Sequence, residues 1–198
     1  MRFARIVIVG VGRRCPQVSY SGTYLRHDCG VPFTCEACGS RNWPNLIPAV
    51  GNVLQCPHCA DERPFVRTPL LIVTGTAGIG KSTICARLAG QTPGAVVLDA
   101  DIFAKDLISI VPPNQDFSAF WRSMMRLAHE ISQNNLTVVY FSTMLPDQLV
   151  ANIDLLCFFE SVQFLCLTCT PDVLHERISR RDGTGVAKAS IKGVARLR

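Results

Sequence analysis

The sequence predicts an α/β protein in which a parallel sheet, packed between two layers of helices, follows a small metal-binding module. From Thr68 onward, short apolar segments that suit buried strands alternate with helical patterns, as in parallel α/β sheets. Before Thr68, four cysteines form two C-x2-C pairs. The chain of 198 residues is long enough for one domain of medium size and a smaller companion. Its composition, 48% hydrophobic and 18% charged, is typical of globular proteins.

A glycine-rich segment joins the first predicted strand, 70–73, to the first predicted helix, 82–89. Its sequence at positions 75–82, G-T-A-G-I-G-K-S, matches the G-x-x-x-x-G-K-[ST] motif of phosphate-binding loops, or P-loops. Glycines let backbone N–H groups surround phosphate oxygens, and the helix N-terminus adds the positive end of its dipole. We therefore predict a nucleoside triphosphate site, with Lys81 between the terminal phosphates and the Ser82 hydroxyl on Mg²⁺. The predicted nucleotide-binding residues are Gly75, Thr76, Ala77, Gly78, Ile79, Gly80, Lys81, Ser82 and Thr83.

The four N-terminal cysteines have the spacing of a structural zinc site. They are Cys35, Cys38, Cys56 and Cys59. The 17 residues between the pairs fit the C-x2-C-x15–20-C-x2-C pattern, in which two tight turns bring four thiolates to one tetrahedral ion. Two disulfides are the alternative, but they need an oxidising compartment, and a triphosphate site argues against one. Cys29 and His58 are spare donors.

Two other segments resemble known motifs without completing them. Cys166 and Cys169 repeat the C-x2-C spacing, but residues three apart on a strand point to opposite faces, so we expect small buried hydrophobic side chains. Residues 6–12 look like a strand entering a dinucleotide-binding turn, but Cys15 replaces the third glycine and no helical pattern follows. We expect residues 1–34 to be a poorly ordered leader, or one strand added to the neighbouring zinc-ribbon-like module, 35–62.

The α/β domain is predicted to span residues 68–198. Its further strands are predicted at 95–98, 136–141 and 162–169, and its further helices at 101–110, after Asn114, at 146–154 and from 170 to near Gly183. Asn114 is a suitable N-cap. Apolar residues then recur at helical spacing; we prefer core packing, and an aromatic substrate slot is the alternative. They are Phe117, Phe120, Trp121, Met124, Ala128 and Ile131.

Polar residues follow the second and third strands, at the edge of the sheet where ligands bind in open α/β folds. After the second strand, Asp99 would hold Mg²⁺ and Asp101 would accept a proton from a substrate hydroxyl; the reverse assignment stays open. An aspartate turn that caps the next helix is the non-catalytic alternative. Residues 141–144 end the third strand without a Walker-B aspartate, which argues against motor and switch ATPases, although Ser142 and Thr143 could position water or substrate.

Three arginines lie on the last predicted helix. Arg177 and Arg181 share a helical face, and Arg180 follows Arg177 by three positions. Guanidinium groups bind phosphate oxygens and stabilise the charge that develops as a phosphoryl group moves. We predict phosphate contacts for these arginines, and a solvated basic helix end is the alternative.

The loop, the aspartate pair and the arginines together resemble the P-loop small-molecule kinases, which include nucleoside, nucleotide, gluconate, shikimate and dephospho-coenzyme A kinases. The resemblance covers residues 68–183. Residues 97–102, V-L-D-A-D-I, look like the Asp-x-Asp strand end of the last three, and Arg177-x2-Arg180-Arg181 looks like their lid arginines. The resemblance implies a sheet in the order 2-3-1-4-5, a mobile lid and Mg-ATP as phosphoryl donor.

Two features differ from that superfamily. Its members usually continue past the lid into a fifth strand and a last helix, whereas the basic segment 184–198 follows here. We therefore predict the strand order 2-3-1-4. Whether the sheet has a fifth strand, and whether the enzyme has full activity, stay open. The superfamily does not normally carry an N-terminal zinc ribbon, so the resemblance assigns no role to residues 35–62.

From these features we predict an ATP-dependent phosphotransferase for a small acceptor bearing a hydroxyl or phosphate group, with ATP, Mg²⁺ and Zn²⁺ as cofactors. A regulatory NTP-binding protein is the first alternative. A zinc-ribbon nucleic-acid-binding protein with an NTPase domain is the second, although no basic stripe favours it and the net charge of +5 suits any anionic substrate. No apolar run is long enough to span a bilayer, so we expect a cytoplasmic protein without a membrane partner.

Overall fold

Strands and helices alternate from Leu70 onward, after a set of short strands. A computed structural model describes residues 5–11, 20–21, 24–26, 33–42, 46–48, 52–107 and 117–181. The strands are β1 (Arg5–Val11), β2 (Tyr20–Ser21), β3 (Tyr24–Arg26), β4 (Phe33–Thr34), β5 (Arg41–Asn42), β6 (Leu46–Pro48), β7 (Val53–Gln55), β8 (Glu62–Pro64), β9 (Leu70–Thr74), β10 (Ala95–Asp99), β11 (Thr137–Phe141) and β12 (Val162–Thr168). The helices are α1 (Lys81–Leu88), α2 (Ala100–Leu107), α3 (Ser118–Ser132), the 3₁₀ helix Pro146–Phe158 and α4 (Pro171–Arg181).

The main sheet has five strands in the order β1-β12-β9-β11-β10. Strands β10, β11, β9 and β12 are parallel to one another. Numbered from β9 along the chain, they have the predicted order 2-3-1-4. The central strand β9 buries Leu70, Ile72 and Val73, the pattern of a parallel strand covered by helices on both faces. The predicted α/β fold class is therefore confirmed.

The edge beyond β12 is occupied by the N-terminal strand β1. It runs antiparallel to β12, from Arg5 opposite Thr168 to Val11 opposite Val162. An open edge at β12 would leave a row of backbone N–H and C=O groups unpaired, and the apolar segment of β1 pairs with them. The expectation that this strand joins the zinc-ribbon-like module is therefore wrong for residues 5–11. The predictions for residues 184–198 concern a segment outside the described residues.

Short antiparallel hairpins enclose the two C-x2-C turns. Strands β4 and β5 flank the first turn, and β7 and β8 flank the second. Strands β7 and β8 also end a sheet in the order β2-β3-β6-β7-β8. The predicted boundaries of the module, 35–62, stay a prediction.

One buried core connects the hairpins to the α/β domain. Leu54 of β7 and Phe65 belong to the same cluster as Leu70, Phe158 and Phe164. The segment between β8 and β9 is therefore packed against the α/β domain, and burial of its apolar surface joins the two parts of the chain.

A glutamine that directly follows α3 holds this connecting segment in place. The Gln133 side-chain amide accepts a hydrogen bond from the Val66 N–H at 3.1 Å and donates one to the Val66 carbonyl at 2.8 Å. One side chain thus satisfies both backbone polar groups of Val66, as a neighbouring strand would. The Arg67 side chain donates to the Cys157 carbonyl at 2.8 Å and fastens the next residue to the 3₁₀ helix.

Helix α3 packs its apolar stripe into the core. Phe120, Trp121, Met124 and Ala128 are buried, and Phe117 and Ile131 pack against the cluster as partly buried side chains. Core packing, rather than a substrate slot, is therefore the correct interpretation. The predicted N-cap at position 114 lies outside the described residues.

The helix predicted at 146–154 is longer and has 3₁₀ geometry. Apolar spacing does not distinguish this geometry from an α-helix over so short a segment. Among the residues that the structure describes, no helix combines the length and apolar character needed to cross a membrane.

His129 of α3 should make the stability of the protein depend on pH. Its ring is 2% exposed and lies between the rings of Phe65 and Phe158, with centroids 5.3 and 4.7 Å away. Burial, with smaller contributions from Arg63 and Arg67, lowers the pKa of His129 from 6.5 to about 4. Between these pH values the unfolded chain binds more protons than the folded one. The free energy of unfolding should therefore fall, by up to about 3 kcal/mol, as the pH decreases through this window.

The pH effect can be measured by urea unfolding at pH 7 and pH 4.5, with the parent and His129→Gln compared. The glutamine cannot titrate, so the variant should lose less stability between the two pH values than the parent does. Equal losses in both proteins would show that His129 does not cause the dependence.

Candidate phosphate-binding and four-cysteine sites

The predicted phosphate-binding loop lies between β9 and α1, against β12 and α4. Gly75 has φ 150° and Gly78 has φ 84°, values that side-chain-bearing residues rarely adopt. A Cβ atom at Gly75 would lie 2.8 Å from the Leu167 carbonyl oxygen, and one at Gly78 would lie 2.8 Å from Cγ1 of Ile178. Both glycines are therefore required by the backbone conformation and by the close approach of neighbouring elements.

The first turn of α1 offers its backbone N–H groups at the end of this loop. The helix begins at Lys81, no side chain caps it, and its first turn contains no acidic residue. N–H groups at such a terminus have no partner within the helix, and together with the helix dipole they favour an anion. Ser82 and Thr83 lie in this turn with exposed side chains.

Lys81 is buried between the loop and the end of the second parallel strand. Its Nζ donates to the carbonyl oxygens of Gly75 at 2.9 Å and Thr76 at 3.4 Å, and lies 3.7 Å from Oδ2 of Asp101. The side chain is 6% exposed. The ammonium group is thus held at the loop, where it can exchange carbonyl partners for phosphate oxygens.

The two aspartates have different surroundings. Asp101 lies beside Lys81, and its Oδ1 accepts hydrogen bonds from the Ser142 hydroxyl and the Thr143 N–H, both at 3.2 Å. Asp99 instead accepts a hydrogen bond from the Asp101 N–H at 3.1 Å through Oδ1, at the start of α2. Oδ1 of Asp99 therefore caps α2, as the non-catalytic alternative expects. Asp101 is the carboxylate next to the Lys81 ammonium group.

The sequence analysis did not predict the contact between Ser142 and Asp101. It suggested only that Ser142 could position water or substrate. Neighbouring parallel strands supply the missing signal. Strands β10 and β11 pair with Asp99 opposite Phe141, so residues just beyond these two positions meet at the edge of the sheet. The predicted strand order already made these two strands neighbours, and their register is the further information that the contact requires.

Arg177 reaches the loop from α4. Its Nη1 donates to the Ile79 carbonyl at 2.8 Å. Helix α4 extends to Arg181, close to its predicted end. The structure thus brings one of the three predicted arginines to the loop. The phosphate contacts predicted for Arg180 and Arg181 involve side chains outside the described part of the structure.

The four N-terminal cysteines converge on one point. Their sulfur atoms all lie within 4.8 Å of one another, with 3.6 Å between Cys35 and Cys59 and 3.9 Å between Cys38 and Cys56. A tetrahedral site with Zn–S bonds of about 2.3 Å places its sulfurs about 3.8 Å apart. All four are free thiols. The cluster therefore fits one metal ion, and the disulfide alternative is absent.

The two C-x2-C turns have matching backbone geometry. The Cys35 N–H donates to the Ser40 carbonyl at 3.0 Å, and the Cys56 N–H donates to the Asp61 carbonyl at 2.8 Å. The backbone N–H groups of Cys59 and His58 lower the pKa of Cys56 to about 6, against the opposing effect of burial. The Ser40 hydroxyl likewise lowers the pKa of Cys38, whereas, despite their backbone hydrogen bonds, burial raises the pKa of Cys35 and Cys59. A lowered pKa favours the thiolate, which is the form that binds metal.

The other candidate metal donors do not join this cluster. Among the described residues it consists of the four cysteines alone, and the His58 side chain is exposed. Cys29 lies outside the described residues. Cys166 lies in β12 and Cys169 directly follows that strand. Both side chains are half-buried, whereas the sequence analysis predicted buried ones.

The chain is similar to a known protein family and to solved structures. The sequence matches the family model described as "AAA domain" over residues 70–196. No curated protein matches the sequence. Similar solved structures include a gluconokinase from Sinorhizobium meliloti 1021, with a TM-score of 0.42 and 18% sequence identity over 66% of this chain and 75% of the gluconokinase.

Proposed function

The chain belongs to the AAA domain family, whose model covers residues 70–196, and from this premise we propose that it is an ATP-dependent phosphotransferase. Its proposed acceptor is a small molecule with a hydroxyl or phosphate group. One observation carries the proposal beyond nucleotide binding. Lys81 and Asp101 lie 3.7 Å apart at the loop. This distance supports a cation that acts on the donor and a neighbouring carboxylate that acts on the acceptor.

The proposed reaction transfers the γ-phosphoryl group of ATP to an acceptor hydroxyl. The hydroxyl oxygen forms a bond to Pγ, the bond between Pγ and the β–γ bridging oxygen breaks, and ADP leaves with that electron pair. Asp101 takes the hydroxyl proton, and Lys81 stabilises the negative charge that develops on the phosphates. Mg²⁺ bound with ATP, held by Ser82 and Asp99, would supply further charge neutralisation. Arg177, Arg180 and Arg181 are the proposed lid residues.

The proposal is tested by offering the purified protein radiolabelled Mg-ATP or Mg-GTP with a panel of acceptors. The panel contains nucleosides, nucleotides, sugars and antibiotics. Transfer of label to one acceptor class is expected. If the protein binds Mg-ATP without labelling any acceptor, the regulatory NTP-binding alternative is favoured. The cytoplasmic location stays a prediction.

We also propose that the four-cysteine cluster holds a structural Zn²⁺ ion, because its sulfur spacing fits a tetrahedral site. Protein purified under reducing conditions should contain one zinc ion per chain. Metal-binding free energy is part of the folding free energy of such a module. A chelator should therefore increase hydrogen exchange in residues 35–62.

Two cysteine variants separate this site from the other thiols. Cys56→Ser removes one sulfur of the cluster and should abolish stoichiometric zinc binding, as measured by elemental analysis. Cys166→Ser changes a half-buried cysteine of β12 and should retain the zinc. The absence of zinc from the parent protein would disprove the assignment.

A further inference from the structure

We propose that Ser142 is a positioning residue for the reaction: it orients the carboxylate of Asp101 so that Oδ2 receives the acceptor proton. This inference rests on the proposed phosphotransferase function. It assigns to Ser142 an action through Asp101 and no contact with ATP or the acceptor.

The two hydrogen-bond partners of the Ser142 hydroxyl show which group donates to which. The side chain is completely buried, at 0% exposure, just after β11. Its Oγ accepts a hydrogen bond from the Met144 N–H at 3.1 Å and lies 3.2 Å from Oδ1 of Asp101. A carboxylate can only accept, so the hydroxyl proton points at Asp101.

The position of Ser142 is itself fixed by the strand that leads into the loop. The Ser142 N–H donates to the Val73 carbonyl at 3.0 Å. The Thr74 hydroxyl donates to the Met144 carbonyl at 2.6 Å and holds the peptide segment that contacts Ser142 Oγ. Gly75, the first glycine of the loop, follows directly. A chain of hydrogen bonds therefore relates the place of Asp101 to the start of the phosphate-binding loop.

The two oxygens of Asp101 are consequently not equivalent. Both donors from the end of β11, the Ser142 hydroxyl and the Thr143 N–H, contact Oδ1. Oδ2 lies on the side of Lys81, 3.7 Å from Nζ. In the transfer step, Oδ2 takes the hydroxyl proton while the hydroxyl oxygen bonds to Pγ and ADP leaves. Without Ser142 the carboxylate can rotate, and Oδ2 spends less time near the reacting atoms.

Hydrolysis of Mg-ATP, with water in place of the acceptor, tests this inference. Ser142→Ala should lower the turnover number about 10- to 100-fold, the size of effect expected from a small misplacement of a reacting group. The dissociation constant of Mg-ATP should change by less than about twofold, because no binding contact is lost. Ser142→Cys, which keeps the volume but donates weakly, should show the same division and covers the case in which the alanine variant does not fold.

A matched control and a double variant identify the cause. Ser132→Ala removes an equally buried hydroxyl that donates to the His129 carbonyl at 2.7 Å, and should keep parental turnover. In an Asp101→Asn background, Ser142→Ala should have no further effect, since a residue that acts through Asp101 is not additive with it.

Three results would overturn the inference. Parental turnover in the folded Ser142 variants would remove Ser142 from the mechanism, and so would an additive loss in the double variant. A parent protein that turns over Mg-ATP neither with water nor with any acceptor would overturn the proposed function, and this inference with it.

Discussion

Replacement of Lys81 by alanine is expected to lower Mg-ATP turnover by at least about 10²–10³-fold. Lys81 has the only charged side chain in residues 75–82 and is the cation that we propose for the transferring phosphates. In the structure Nζ rests on the carbonyls of Gly75 and Thr76 at 2.9 and 3.4 Å, so the cation is already at the site before the nucleotide binds. Binding of Mg-ATP should weaken as well, and the nucleotide-induced shift in melting temperature measures this. The fold should survive, since Lys81 lies outside both apolar clusters.

Two further variants show whether charge is the cause of that loss. Lys81→Met keeps the aliphatic stem and removes the ammonium group, so it should lose as much turnover as the alanine variant. Arg87→Ala removes a cation from the exposed last turn of the same helix and should behave like the parent. A Lys81→Ala protein that binds and hydrolyses Mg-ATP normally would mean that the loop does not bind phosphates.

Asp101→Asn should reduce acceptor phosphorylation by about 10²–10⁴-fold, the usual cost of losing a general base. Asparagine keeps the shape of the side chain and its hydrogen bonds can adapt, so the loss should appear mainly in the turnover number. Asp99→Asn should instead impair Mg²⁺-dependent nucleotide binding. Asparagine is also a good N-cap, so this variant retains the helix-capping contact seen at the start of α2.

The pair of variants also tests the reverse assignment of the two roles. If Asp99→Asn lowers turnover and Asp101→Asn lowers metal-dependent binding, the roles are exchanged. If both variants phosphorylate the acceptor at the parental rate, the aspartates have no part in the reaction. The principal reason to prefer a kinase over a regulatory nucleotide-binding protein would then be gone.

The sequence was most informative where chemistry restricts a local pattern. The glycines and lysine of residues 75–82 and the two C-x2-C pairs fix both residue type and spacing, so the loop and the four-cysteine cluster were predicted residue by residue. The order of the parallel strands was predicted from the resemblance to P-loop kinases. The detailed roles of the site residues stay predictions.

Contacts between distant parts of the chain were not predicted. The sequence of residues 5–11 does not indicate which sheet edge they pair with, because their partner β12 lies far away along the chain. The link from Ser142 to Asp101 depends on the register of two strands that were predicted to be neighbours. The hydrogen bonds between Gln133 and Val66 depend on where α3 packs. These contacts depend on how the elements pack together. Sequence patterns predict only which face of a single helix or strand is buried.

The pairing of β1 with β12 joins two strands that are synthesised at different times. Arg5 lies opposite Thr168, so β1 is synthesised well before its partner strand. Until then the apolar β1 strand is an unpaired segment with exposed backbone groups, open to association with other nascent chains. Contacts so far apart in sequence also slow folding. The edge of β1 is therefore most open to aggregation in the time between the synthesis of β1 and that of β12.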